Sequence, residues 1–560
     1  MKTHTTYTAA VVTSLALLTA CSGTDSGTGG DVQDQDTATA VATDADTAVA
    51  TTATSAETLA ASIAANAEPH DIDPYDYDES EVEQIALGTT ISTTSDTVSI
   101  DGTTATVTEG GDYELSGALA DGQVIVDAGD SAVVRLILDG VDITNDDGAA
   151  IAVMSAETAV VMLAEGTTNT LTDGAVYVLP AGEDEPNATL FSKADLTLAG
   201  TGSLTVVGNA NDGIASKDGL VITSGTITVD AVDDGIRGRD YVVIDGGDLD
   251  VTAGGDGIKS DNDEDLDRGW VAVAGGVTTV DAGDDGIQAV TDVLVTDGAL
   301  DITSDDDAIH SDSTVNVDGG EVTLAAGDDA IHGDLFVTID GGTIDITDSY
   351  EGIESEVITI NDGVIDITSN DDGLNVASAD ATAETTTATQ PGPGAGGPGG
   401  PGGDEAVGDH YIYINGGTIS ITVTGELDEQ GDGIDANGHV VMTGGTVAVS
   451  GPTDTRNSAL DYSGGSFEVT GGTLVGTNIN GRNSEGVEAG SDQASLYLTF
   501  DTVIPAGTVV AIQSPSGDSL TTFEPVNQYD VVVFTSPDLA AGESYEVYLD
   551  GALAGTATAS

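Results

Sequence analysis

Carboxylates dominate the chemistry open to this sequence. An acidic residue followed by Gly or Ala and then by Ile or Leu falls at Asp212, Asp234, Asp256, Asp285, Asp307, Asp329, Glu351, Asp372 and Asp432, at intervals of 22, 22, 29, 22, 22, 22, 21 and 60 residues. A second acid stands directly before five of them, at Asp233, Asp284, Asp306, Asp328 and Asp371, and more acids follow three places after the apolar residue at Asp261, Asp312, Asp334 and Glu356. Acids repeated at one spacing end up close together in any fold that stacks the repeats. At about 5 Å and an effective dielectric near 20, each neighbouring pair repels by about 3 kcal/mol. A hard divalent cation with oxygen ligands relieves that repulsion, and calcium tolerates an irregular ladder better than magnesium does. The expected calcium ligands are Asp233, Asp234, Asp256, Asp261, Asp284, Asp285, Asp306, Asp307, Asp312, Asp328, Asp329, Asp334, Glu351, Asp371, Asp372 and Asp432. The plainer reading is that these acids cap turns and face water, because Asp is a good turn residue. An acid at all nine repeat positions, where Asn, Ser or Gly would turn equally well, favours the metal.

The position after the apolar residue reads Ala215, Arg237, Lys259, Gln288, His310, His332, Glu354, Asn375 and Asp435. With Lys217 and Arg239 nearby, Arg237 and Lys259 place four of the chain's ten basic residues within 43 positions. Arg237, Arg239, Lys259, His310 and His332 are the candidate contacts to an anionic sugar; neutralisation of the acidic ladders is the competing role, and the sequence leaves both open. Stacked repeats would put His310 and His332 about 4.8 Å apart, but hard oxygen donors around them argue against a transition-metal pair. No pair of carboxylates stands out from so many as an acid and base for hydrolysis, and no catalytic residue is assigned.

Something must hold these residues in rows. Midway between the acidic turns lies a second turn with a strand after it, as in Ser224-Gly225-Thr226-Ile227 and Asp340-Gly341-Gly342-Thr343-Ile344. Alternation is explicit in Thr343-Ile344-Asp345-Ile346-Thr347, the period of a strand. A unit of about 22 residues without helical periodicity fits one coil of a parallel β-helix. Ile214, Ile236, Ile258, Ile287, Ile309, Ile331, Ile353, Leu374 and Ile434 then form one inward aliphatic ladder. Strict alternation would send the acid two places earlier inward as well. Nine buried carboxylates are untenable, so the chain is expected to bend at the Asp-Gly step and turn them outward. The β-helix is expected over 85–492, with a flexible Gly/Pro-rich insertion at 380–409. After it, 493–560 alternates as in Ser495-Leu496-Tyr497-Leu498-Thr499-Phe500 and reads as a small antiparallel β module capping the solenoid.

Composition narrows the partners. Asp and Glu number 98 against 10 Lys and Arg, a formal charge of −88, which repels nucleic acid and anionic lipid; adaptation to high salt is an equally simple origin. Aromatics are 4% and Trp270 is the single Trp, so the core is built of Val, Ile and Ala. Residues 1–20 read as a lipoprotein signal peptide ending Leu18-Thr19-Ala20-Cys21, and Cys21, the lone cysteine, is the expected lipid acceptor. Residues 21–84 are Thr, Ala, Asp and Gly with few large apolar side chains and read as a disordered tether. Its acidic tail carries Tyr75 and Tyr77, which have a first coil to pack against. A monomer outside the cytoplasm, touching a membrane only through lipid, is expected.

Asp348-Ser349-Tyr350-Glu351-Gly352-Ile353-Glu354-Ser355, Ile358-Thr359-Ile360-Asn361, Asn370-Asp371-Asp372-Gly373-Leu374-Asn375, Gly431-Asp432-Gly433-Ile434-Asp435-Ala436-Asn437-Gly438 and Ala459-Leu460-Asp461-Tyr462, with the Gly/Pro insertion among them, carry a resemblance. Over about residues 90–555 the chain resembles bacterial carbohydrate-binding, calcium-binding parallel β-helix proteins, which are similar in fold to pectate lyases. The resemblance implies a right-handed single-stranded β-helix that binds acidic pectic chains or cellulose, with calcium on the Asp-Gly-Ile turns and without established catalysis. Depletion of Lys departs from that pattern and puts the ligand surface in question. Two alternatives stand beside it. A calcium-dependent polysaccharide lyase would use Lys259 or Arg237 as base beside Asp234, Asp256 and Asp261. A surface spacer or adhesin would use calcium only to rigidify a stalk.

Overall fold

A computed structural model describes residues 66–182, 184–377, 410–425, 430–462, 464–481, 484–488 and 490–560. The signal segment 1–20, the lipid acceptor Cys21, the tether up to residue 65 and the insertion at 380–409 lie outside the described residues. Pro69–Ser560 forms one unit. It is all-β, with no helix among the described residues, and its body is a parallel β-solenoid of about 14 turns.

Each regular coil contributes three short strands. Ile236–Gly238, Tyr241–Ile244 and Asp248–Ala253 pair in parallel with Ile258–Ser260, Trp270–Val273 and Val277–Ala282 of the next coil. The pairing is in register from coil to coil: Ile214, Ile236, Ile258, Ile287, Ile309, Ile331, Ile353, Leu374 and Ile434 stand directly over one another. All nine are fully buried, so the expected aliphatic ladder is the core. Stacked β-branched side chains fill such a core without gaps. Ile287→Ala leaves one rung empty and is expected to cost about 2–5 kcal/mol, read as a lower denaturant midpoint; an unchanged midpoint would mean that the ladder is not the source of cohesion.

Glycine serves two different purposes. Gly342, in the second turn, has φ +90°, and a side chain there would also press on the backbone of Gly319 and Gly320. Gly257, after Asp256, is not in the left-handed region. A Cβ there would lie 2.2 Å from Val280 Cγ1 and 2.6 Å from the Gly286 oxygen, so this Gly is needed for close packing of coils rather than for a bend. The interval of 29 residues accommodates a loop that is tied back by Asn262 Nδ2 donating to Asp240 Oδ1 at 2.6 Å and by an Arg268–Asp240 ion pair.

Both terminal segments pack on the solenoid. Residues 70–82, expected to belong to the tether, lie against the solenoid: His70 Nε2 is 2.7 Å from Thr197 Oγ1, the His70 amide donates to Tyr241 Oη at 2.8 Å, and Arg135 sits over the Tyr77 ring. Ile72, Tyr77 and Val82 pack on Ile137, Val160 and Met162. At the other end Tyr529–Thr535 pairs antiparallel with Thr473–Asn478 and Ser495–Ile504. A separate antiparallel sheet follows, in the order Ser519–Phe523, Val510–Gln513, Ser544–Leu549, Ala552–Thr558.

Candidate functional site

The acidic ladder does not face outward as expected. Asp212, Asp234, Asp256, Asp285, Asp307, Asp329, Asp372 and Asp432 are all buried and Glu351 is half-buried, whereas Asp233, Asp284, Asp306 and Asp328 of the preceding column, with Asp312, are exposed. The reason is a hydrogen bond between coils. Along four successive coils Oδ1 of the ladder Asp accepts the backbone N–H of the equivalent residue one coil on: Asp234 from Asp256, Asp256 from Asp285 and Asp285 from Asp307, each at 3.1 Å, and Asp307 from Asp329 at 2.8 Å. The carboxylates therefore lie in the crease between coils, neither in the aliphatic core nor in solvent. A hydrogen bond to a charged acceptor offsets part of the cost of burial.

Oδ2 turns to the neighbouring column, whose members also stack in register from Ala215 through Arg237, Lys259, Gln288, His310, His332, Glu354 and Asn375 to Asp435. Arg237 lies 2.5 Å from Asp212 Oδ2 and 3.4 Å from Asp261 Oδ2; Lys259 pairs with Asp256 and reaches Asp234 at 4.0 Å. His310 and His332 place Nδ1 3.1 Å from Asp285 Oδ2 and Asp307 Oδ2 respectively, with Nε2 toward Asp312 and Asp334. In this stretch four basic residues reach all six ladder acids within 4.0 Å, which favours the neutralising role over an open cationic patch. The Lys259 ammonium is opposed by burial, but Asp256, Asp234 and Asp261 outweigh that and hold it above its ordinary value, the wrong direction for a base in β-elimination.

Beyond His332 the companion column changes sign. It carries Glu354, Asn375 and Asp435 while the ladder continues through Glu351, Asp372 and Asp432. Asp372, Asp432 and Asp435 bring carboxylate oxygens within 4.8 Å of one another. Burial, then Asp435 and the neighbouring acids, push Asp372 and Asp432 well above the usual carboxylate range. Asn375, 7% exposed, donates Nδ2 to Glu351 Oε2 at 2.8 Å while its buried Oδ1 has no hydrogen-bond partner. Converging carboxylates with an orphaned amide oxygen are the donor set of a hard cation such as calcium. Glu354, Asn375 and Asp435 were not among the expected ligands; the replacement of a base by an acid or amide at the companion position was the available signal. Two further clusters, Asp284/Asp285/Asp306 and Asp306/Asp307/Asp328, lie on the exposed edge of the ladder, and Asp371 stands half-buried beside Asp372.

Arg239 stands apart from the ladder. It pairs with Glu264 Oε2 at 2.7 Å and lines a cleft of about 360 Å³ with Glu185, Lys193 and Lys217. Trp270 offers no sugar platform, being fully buried and stacked 5.1 Å from Tyr241. Among the described residues the exposed aromatics are Tyr75, Tyr350 and Tyr497, Tyr350 standing next to Glu351; Tyr411 and Tyr413, half-buried, stack at 5.3 Å, and the half-buried His439 of the next coil lies 5.1 Å from Tyr411. Tyr411 occupies the register position of Trp270 and Tyr241, which follows the companion column after one corner of the coil. The aromatic cluster is thus one corner away from Asn375 and Asp435.

A relative from Acetivibrio thermocellus described as a carbohydrate-binding domain-containing protein is 44% identical over 126 residues, which is 22% of this chain and 44% of the relative. The chain thus spans less than half the length of that curated relative. A solved structure described as the polysaccharide lyase-like protein from C. thermocellum, a gadolinium derivative, is similar at 33% identity with a TM-score of 0.40, over 47% of this chain and 96% of that one. The model of the carbohydrate-binding domain-containing protein family matches residues 101–352 and 303–478, more than half of the chain, and the protein belongs to that family.

Proposed function

We propose that this protein is a lipid-anchored, extracytoplasmic polysaccharide-binding protein that recognises an acidic glycan through calcium held on its C-terminal coils. Family membership supports a carbohydrate partner. The observation that carries the calcium reading is the change of sign in the companion column, from Arg237, Lys259, His310 and His332 to Glu354, Asn375 and Asp435. Arg237, Lys259, His310 and His332 offset part of the ladder's charge in the earlier coils; at Glu351, Asp372 and Asp432 the column offers no base, and a bound cation would supply the balancing charge. A cation between the buried Asp372 and Asp432 and the half-buried Asp435 would keep coordination positions on the Asp435 side for sugar carboxylates. Tyr411, Tyr413 and His439 supply aromatic surface round the corner for the sugar rings. The anchor would be Cys21, with residues 22–69 as the reach between membrane and solenoid.

Retention on polygalacturonate with calcium or with chelator tests this reading. Strong retention in calcium and loss in chelator is expected; equal retention in both would remove calcium from recognition. Tyr413→Ala is expected to weaken retention by up to about tenfold, the scale of one aromatic contact, without altering calcium affinity. An unchanged affinity for the glycan would move the sugar away from this face.

A further inference from the structure

We infer that His310, His332 and Asp307 form a second metal site on the same ladder, one that takes a borderline divalent transition ion such as zinc rather than calcium. One ligand atom from each of the three lies within 4.8 Å of the others. Asp307 Oδ2 stands between the imidazoles, 3.1 Å from His332 Nδ1 and 3.9 Å from His310 Nδ1. The rings come from adjacent coils, stack with centroids 5.0 Å apart and an interplanar angle of 16°, and their side chains are 25% and 15% exposed. An ion therefore has access from solvent.

The donor set decides which ion. The surrounding oxygen donors had argued against a transition ion, but with both Nδ1 atoms converging on one Asp307 oxygen the set becomes two nitrogens and a carboxylate, which suits zinc, copper or nickel, whereas calcium takes oxygen ligands. Zinc sits about 2.0–2.2 Å from such ligands, so the rings must turn toward each other to share one ion, and rotation about the terminal imidazole torsion is soft. The outer faces are already arranged for this. His310 Nε2 points to Asp312 at 3.8 Å and His332 Nε2 to Asp334 at 3.6 Å. A carboxylate behind the second ring nitrogen orients a ligating histidine and raises its basicity. Asp285, 3.1 Å from His310 Nδ1, is a further oxygen at hand. Earlier coils put Arg237 and Lys259 at this position, where the balancing charge is fixed. An imidazole balances the same acids and is also a ligand.

The test titrates zinc into the metal-stripped full-length chain with calcium in large excess. One zinc ion per chain is expected to remain bound, His332→Asn and His310→Asn each to weaken it by at least about tenfold, and Asp432→Asn to leave it unchanged. Zinc that calcium displaces, or that the histidine variants hold as tightly, would overturn the inference and leave only carboxylate binding. If a variant does not fold, the wild-type chain still decides the matter. Copper(II) bound in its place should show hyperfine coupling to two nitrogens in its electron paramagnetic resonance spectrum, and an oxygen-only spectrum would sink the proposal.

Discussion

Replacing Asp372 and Asp432 together with Asn is expected to abolish calcium-dependent retention on polygalacturonate and to remove calcium's stabilisation, so that the two proteins exchange their order of stability between chelator and calcium. The substitution is close to isosteric. Asp372 Oδ1 accepts the Asp432 amide at 2.5 Å, and Asp432 Oδ1 accepts the Ser458 amide; an Asn Oδ1 accepts the same bonds, so the inter-coil ladder survives. What disappears is charge. In chelator the wild-type chain holds these groups against burial and against Asp435 and Glu351, and the double variant, free of that repulsion, should unfold at a higher denaturant concentration. In calcium the order reverses. An ion present at a thousandfold its dissociation constant stabilises the folded chain by about 4 kcal/mol, and only the wild type gains it. Unfolding curves of both proteins with calcium and with chelator therefore cross. Curves that keep one order in both conditions would place the ion elsewhere on the ladder.

Much of this was legible because the solenoid turns sequence spacing into distance. A 22-residue interval becomes one strand spacing, so the stacking of Ile214 through Ile434 and the adjacency of Arg237 with Lys259 and of His310 with His332 followed from counting, and the structure has each of them. The direction of the Asp side chains was not legible. Alternation and burial cost pointed them outward, but the amide that captures Oδ1 belongs to a residue a whole coil away, and no local pattern announces it. The same non-local bond removes the reason to expect a bend at Gly257. Glu354 and Asp435 were visible as letters, yet their meaning depends on the absence of a base in their column, a contrast that emerges only when columns rather than turns are compared. Lys217 beside Arg239 followed from the spacing, but Lys193 joins the same cleft from an earlier coil of irregular length, whose register was hidden. Residues 70–82 fell in the expected tether, with Tyr75 and Tyr77 given a coil to pack against; Tyr77 packs with Ile72 and Val82 and His70 is hydrogen-bonded, while Tyr75 stays exposed.

The chelated protein is expected to lose stability as pH rises from about 5 to 9, the opposite of a chain whose carboxylates are held charged. Burial, with Asp234 and Asp233 nearby, pushes Asp212 up to about 7 against the pull of Arg237. Burial, with Asp256, likewise raises Asp234 to about 6 against Lys259 and Arg237. Each folded-state value exceeds the unfolded one near 3.8, so the folded chain binds more protons across that window, and stability falls where this is so. The contribution is complete below the unfolded value and disappears as pH passes through about 6 to 7. For the buried Asp212 it amounts to about 4 kcal/mol, at about 1.4 kcal/mol for each pH unit of difference. His310 adds a second step with the same sign: burial opposes its charge, but Asp285 and Asp307 prevail and raise it to about 9, so its ion pairs are lost as pH rises through that value. Denaturant midpoints measured at intervals of one pH unit should descend in two stages. Asp212→Asn should flatten the lower stage and His310→Asn the upper, each leaving the other in place. A midpoint that rises from pH 5 to pH 8 in chelator would mean that the buried carboxylates are ionised and fully compensated by Arg237 and Lys259, and the account of the ladder as a protonated or metal-filled seam would fail.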